Sequence, residues 1–329
     1  MLRRAFMFGC MIFVSANLAH SQDGKPKQLA ARVELHQINT LTISDQQFLA
    51  GDESGKPTQL TGQLRIAQGS GRLPVVVLLH GSGGMGANIE MWSNELNALG
   101  ISTFAIDGFT GRGITATNTN QALLGRLNFV LDVYRSLEIL GKHSRVDPSR
   151  IALMGFSRGG QGALYASVLR FHKMWNKSGV DLAAYVPFYP DCSTTYATDS
   201  NAADRPIRIF HGTPDDYNPV ASCKRFVERL KAAGKDVVLT EYPNAQHAFD
   251  NPLIGVASVV AKDNQTVRKC TLQEEGTGVI VEASSKQPFT YKDPCVELNP
   301  HVGYDADATA ASKEAVKVFF KDLFKLGQG

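Results

Sequence analysis

Several things are missing from this 329-residue sequence, and each absence removes a class of protein. There is no long basic block: 34 Lys and Arg stand against 31 Asp and Glu, for a formal charge of +3, so nucleic acid is not expected as a partner. No CxxC pair and no His/Cys cluster offers a zinc-binding set. No GxxxxGK[ST] is present, which removes the P-loop phosphate cradle; neither a metal nor a cofactor is expected. With 30 Gly and 14 Pro and no internal repeat, the chain is neither collagenous nor a low-complexity linker. What is there is 43% hydrophobic and 20% charged, the balance of a globular protein with a sizeable core.

The N-terminus reads differently from the rest. Arg3 and Arg4 precede an apolar run, Ala5 to Ala16, that is too short to span a bilayer. Ala19-His20-Ser21 then offers small residues at the positions a signal peptidase reads. Residues 1–21 are therefore expected to be a secretory signal peptide, cut after Ser21, rather than a buried helix. The mature protein is expected to be exported, periplasmic or secreted, with no membrane association. Export gives the cysteines a different meaning. Cys10 leaves with the signal, and Cys192, Cys223, Cys270 and Cys295 remain, an even number in an oxidising compartment. Of three possible connectivities the expected one is Cys192–Cys223 and Cys270–Cys295; free buried thiols are the alternative.

Hydrophobic patterning divides residues 22–329 into alternating elements. Residues 31–38 and 59–66 alternate like half-buried strands, whereas Leu73 to Leu79 is an unbroken apolar run, as in a strand covered on both faces. Helical spacing follows at 88–99, stopped by Gly100, and again over 120–141, where Leu123, Leu127, Val130, Tyr134 and Leu137 would share one face. Further strands are expected at 101–106, 151–154, 182–188, 207–210 and from 237. Further helices are expected at 158–172, around Phe226 and Leu230, and through Val316 to Leu323. Strands alternating with helices predict an α/β fold: a doubly wound, mostly parallel sheet with helices on both faces, in a single domain. Residues 253–305 break the rhythm. They read as an insertion folded over one edge of the sheet, with a possible strand at 279–281 and a local Cys270–Cys295 staple in place of a core.

The chemistry-bearing motifs all follow strands. Gly155-Phe156-Ser157-Arg158-Gly159 lies between a buried strand and a helix, the context of a nucleophile elbow: a turn this tight needs small residues two before and two after the serine. A serine hydroxyl needs a general base. His247, in a loop after a late strand, is the expected base, with His301 in the insertion its main competitor. His211-Gly212-Thr213-Pro214-Asp215-Asp216 follows another strand, so an acid that orients the base is expected there. Asp215 is preferred and Asp216 is the alternative. Oxyanion donors are expected in the backbone N–H groups of Arg158, at a helix start, and of Ser82 in His80-Gly81-Ser82-Gly83-Gly84. Arg112 and Arg158 could attract an anionic group or else pair with Asp107 or Asp191. Phe109, Tyr189 and Tyr217 are candidate walls of an apolar pocket.

Taken together, HGSGG, GFSRGG, HGTPDDYNP and YPNAQHAFD resemble the dienelactone hydrolase family of the α/β-hydrolase superfamily over most of residues 59–250 and the final helix. The resemblance implies hydrolysis of a small-molecule ester or lactone through a covalent acyl-enzyme, with no cofactor. The best-known members carry cysteine at the elbow, where this chain has Ser157. The serine, the signal and the paired cysteines fit an exported serine esterase. A peptidase of the same fold, or a non-catalytic binding protein that kept it, are the competing readings.

Overall fold

The computed structural model describes residues 29–276 and 278–327, so the expected signal peptide lies outside the described residues. Eight strands form one sheet: β1 (Arg32–Thr42), β2 (Lys56–Ile66), β3 (Leu73–Leu79), β4 (Ser102–Asp107), β5 (Val146–Phe156), β6 (Tyr185–Phe188), β7 (Ile207–Gly212) and β8 (Val237–Tyr242). Their order is β1-β2-β4-β3-β5-β6-β7-β8; β2 pairs antiparallel with both β1 and β4, and every other pair is parallel. The helices are α1 (Asp45–Ala50), α2 (Ala87–Ala98), α3 (Asn128–Leu140), α4 (Arg158–Tyr165), α5 (Leu169–Trp175), α6 (Val220–Ala232) and α7 (Ala306–Leu323).

The unbroken apolar run of β3 is explained by its two faces. Val75, Val77 and Leu79 join a core with α3, α4, α5 and α6, while Val76 and Leu78 join a second core with Trp92 and Leu96 of α2 and Val316 and Phe320 of α7. A central strand with helices on both sides has no solvent face to carry polar residues. This is the doubly wound sheet the alternation predicted.

Two helices are shorter than their spacing suggests. Residues 120–127 are not helical apart from a single 3-10 turn at Gln121–Leu123, and Leu123 is exposed. Tertiary partners take the backbone groups a helix would use: Arg158 binds the carbonyls of Gln121 and Leu124, and Gln265 binds the Gln121 N–H. The helix expected over 158–172 is two helices, because Ser167 and Leu169 bond to the backbone of Ala203 and Asn201 instead. The strand expected at 182–188 begins only at Tyr185.

The segment 253–305 lies over the carboxyl ends of the strands. Leu272–Glu275 pairs with Val279–Glu282 and with Thr194–Thr195, just beyond β6. Gln265–Thr266 pairs with Glu297–Leu298, and Val259–Val260 with His301–Val302. Its apolar cluster is small, centred on Val267, Cys270 and Leu272, and the Cys270–Cys295 disulfide closes it. The other disulfide joins Cys192, after β6, to Cys223 in α6.

Candidate active site

Ser157 sits between β5 and α4 with φ at 54° and ψ at −114°, a left-handed backbone that a side-chain-bearing residue adopts at a cost of about 1–3 kcal/mol. The surrounding glycines make this turn possible. A Cβ on Gly155 would lie 2.0 Å from the Gly159 carbonyl oxygen, and one on Gly159 would lie 2.3 Å from the Leu79 carbonyl oxygen. The Ser157 N–H is anchored to the Phe188 carbonyl at 3.0 Å, which fixes the serine above the sheet.

Around it the structure brings together Ser157, His247 and Asp215. Ser157 Oγ is 2.9 Å from His247 Nε2, and His247 Nδ1 is 2.8 Å from Asp215 Oδ2. The other Asp215 oxygen accepts the N–H groups of Tyr217 and Asn218 at 2.9 and 2.8 Å. With that oxygen occupied, the carboxylate presents its free oxygen to Nδ1–H, leaving Nε2 to accept from the serine hydroxyl. His247 and Asp215 are both buried. The imidazole is held on two sides: Tyr217 stacks on it with centroids 4.5 Å apart, and Tyr189 meets it edge-on at 4.8 Å. The Tyr189 hydroxyl in turn donates to Asp250, which also accepts from Trp92 Nε1 at 2.7 Å. Burial raises the pKa of Asp250, which has no cationic partner among the described residues.

Asp216 and His301, the alternative acid and base, pair with each other. His301 Nδ1 is 3.0 Å from Asp216 Oδ2, and Arg268 Nη1 reaches the same oxygen at 2.8 Å. Neither residue contacts Ser157.

The Ser82 turn is held by His80. Its Nε2 accepts the Gly108 N–H at 3.0 Å, so Nδ1 carries the proton donated to the Gly81 carbonyl at 2.7 Å. Burial pushes the His80 pKa down to about 4, so the neutral form with this proton arrangement persists at neutral pH. Among the described residues, neither the Ser82 N–H nor the Arg158 N–H has an acceptor. Two free donors beside a serine hydroxyl match the needs of a developing oxyanion.

Two of the expected pocket residues are elsewhere. Arg112 forms a buried, two-pronged ion pair with Asp132, at 2.7 and 2.8 Å, rather than facing a ligand or pairing with Asp107. Phe109 is buried against His80 and Phe129. Both follow β4, but the 3-10 turn at Thr110–Arg112 directs them back toward β1 and α3. Arg158 does line the cavity. Its guanidinium is buried and bonds to the Gln121 and Leu124 carbonyls and the Gln121 side chain, with no carboxylate partner among the described residues. Burial lowers its pKa. Asp191 pairs with Arg126 instead, and Arg126 Nε donates to Tyr291 at 2.6 Å.

Ser157 opens on two spaces. One is a tight cavity of about 30 Å³ walled by Arg126, Arg158, Gln161, Val267 and Tyr291. The other, of about 290 Å³, is bordered by His247, Tyr189, Tyr217 and the Ser82 turn. Gln121, Arg126, Gln161 and Asp250 escaped the sequence reading. Gln121, Arg126 and Gln161 lie in loops or on a helix outside any motif, and only the fold gathers them at the serine; Asp250 closes the YPNAQHAFD motif but acts one step away, through Tyr189.

A model of the dienelactone hydrolase family matches residues 60–275. The chain belongs to that family. Within this family setting, a putative carboxymethylenebutenolidase of Methylorubrum extorquens is 26% identical over 196 residues, covering 54% of this chain and 64% of that protein. Acyl-protein thioesterase 1 of Gibberella zeae is 34% identical over 110 residues, 32% of this chain and 44% of that one. The chain thus spans less than two thirds of the length of these curated relatives. A solved dienelactone hydrolase-like promiscuous phosphotriesterase from metagenomic libraries superposes with a TM-score of 0.59 at 20% identity, covering 88% of this chain and 98% of its own. A putative dienelactone hydrolase from Klebsiella pneumoniae gives 0.55 at 14% identity, with 87% and 98% covered. These likenesses establish the α/β-hydrolase fold of the family.

Proposed function

We propose that this dienelactone hydrolase family member is a serine hydrolase that cleaves carboxylic esters or lactones. The observation that carries the reading is the continuous path from Ser157 Oγ through His247 to Asp215, at 2.9 and 2.8 Å. As Ser157 Oγ bonds to the ester carbonyl carbon, its proton passes to His247 Nε2, and Asp215 stabilises the resulting imidazolium. The Ser82 and Arg158 N–H groups receive the oxyanion, and the buried Arg158 charge favours it further. His247 then gives its proton to the departing alkoxide as the carbonyl–alkoxide bond breaks, leaving an acyl-serine. A water that loses its proton to His247 attacks the acyl-serine; collapse of that intermediate returns the proton to Ser157 and frees the acid.

The two disulfides support an exported protein, since such bonds persist in oxidising compartments. Residues 253–305 act in this reading as a stapled cover on a single hydrolase domain. A fluorophosphonate probe tests the assignment. Labelling of the wild type and not of Ser157→Ala is expected, with ester turnover lost in the same variant. A probe that leaves Ser157 unmodified, with turnover surviving in Ser157→Ala, would refute catalysis by this serine and return the fold to a binding role.

A further inference from the structure

The two spaces at Ser157 differ in size, lining and position relative to His247, and this assigns them different halves of the substrate. The inference rests on the ester-hydrolase reading above. In that reaction His247 must reach the leaving oxygen to protonate it. The space bordered by His247 therefore takes the alcohol, and the tight cavity, which His247 does not border, takes the acyl group.

The acyl cavity, about 30 Å³, is roughly a tenth the size of the alcohol space, about 290 Å³. That contrast favours a short acyl group of acetyl size. The cavity's far wall is the Arg126–Tyr291 contact, braced by the Arg126–Asp191 ion pair. Behind this wall lies a separate groove of about 430 Å³, also bordered by Arg126 and Tyr291. Acyl length is thus limited by two side chains rather than by the body of the protein.

The alcohol space, about 290 Å³, has a different chemistry. Apart from His247, none of the described side chains bordering it is ionisable in the ordinary pH range except the buried phenols of Tyr189 and Tyr217. Asn118, Asn251 and Asn264 all face it. The side-chain amides of Asn118 and Asn264 make no hydrogen bond among the described residues, and Asn251 uses only its oxygen, toward the Leu253 N–H. Neutral amides with unused donors and acceptors, set beside two aromatic rings, match a neutral, hydroxyl-rich ligand.

We propose that the substrates are esters of an acetyl-sized acyl group with a neutral polyhydroxylated alcohol of sugar-like character. In this assignment Tyr291 and Arg126 set acyl length, and Asn118 and Asn264 set alcohol preference.

The test uses the full mature protein and two matched series. In the first, p-nitrophenyl acetate, butyrate and octanoate vary the acyl group. A fall in kcat/KM of about tenfold or more from acetate to butyrate is expected. Tyr291→Ala, which joins the cavity to the groove behind it, should shrink that ratio at least about fivefold. In the second series a monoacetylated methyl glucoside is compared with cyclohexyl acetate, whose alcohol is similar in ring size but bears no hydroxyls. The glucoside should be preferred by about tenfold, and Asn118→Ala/Asn264→Ala should reduce that preference by about fivefold or more. Octanoate turned over as fast as acetate, or cyclohexyl acetate matching the glucoside, would overturn the proposal while leaving the hydrolase reading intact. No hydrolysis of any ester by the wild type would overturn both.

Discussion

Asp215 and Asp216 are neighbours in sequence, and each holds a histidine, yet the two pairs belong to different regions. Asp215 and His247 stand at the ends of β7 and β8, buried, with the second carboxylate oxygen fixed by two backbone N–H groups. Asp216 faces the other way, toward the 253–305 cover, where it meets the partly exposed His301 and Arg268. The first pair is part of the sheet's own rim. The second ties a weakly cored excursion down onto it. Identical residue types one position apart thus differ in role because successive residues of the turn point to opposite sides, one into the fold and one into its cover.

The contrast is sharpest when the two pairs are cut in parallel. His247→Ala is expected to reduce kcat by about 10⁴-fold or more, because the serine loses its base. His301→Ala should change kcat by less than about fivefold, as expected for a partly exposed contact away from the serine. Equal losses in steady-state ester hydrolysis would break the distinction. Asp215→Asn should cost on the order of 10³–10⁴-fold by stabilising the wrong imidazole tautomer, whereas Asp216→Asn should stay within the fivefold range.

A smaller effect tests the cover itself. Cys270→Ser/Cys295→Ser should lower stability by about 2–4 kcal/mol in denaturant unfolding, and protease should then cut first within 253–305. Initial cleavage in the sheet would show that the cover has a stronger core than its cluster around Val267 suggests.

The mildest expectation concerns pH. His80 titrates in the folded protein near 4, below its ordinary 6.5, so between these values the unfolded chain binds a proton that the folded chain refuses. Its contribution to stability is complete above about pH 6.5 and declines as pH falls toward 4. Burial shifts His211 in the same direction, and it should add to the slope. His80→Gln should flatten the fall in Tm over that window; an unchanged slope would mean His80 does not titrate with folding.

Much of the site was legible because strand-end motifs carry local constraints. The crowding around Ser157 demands glycines at fixed offsets, and Gly155 and Gly159 provide them. The apolar run of β3 announced burial on both faces. Residues 120–127 are not α-helical for the opposite reason. Their spacing is helical, but Arg158 and Gln265 compete for their backbone from elsewhere in the chain, and no local pattern records that competition. Arg112 misled in the same way: a guanidinium beside the strand ends looks available until Asp132, twenty residues on, occupies it.

The sequence by itself determined the alternation of strands and helices, the tight turn at Ser157 and the order serine, aspartate, histidine, because these depend on residues near one another along the chain. Tertiary structure alone decided which histidine meets the serine, which arginine faces the cavity and how much space lies on either side of the nucleophile. Those are distances between atoms that share no stretch of backbone, set by the packing of loops over the rim of the sheet.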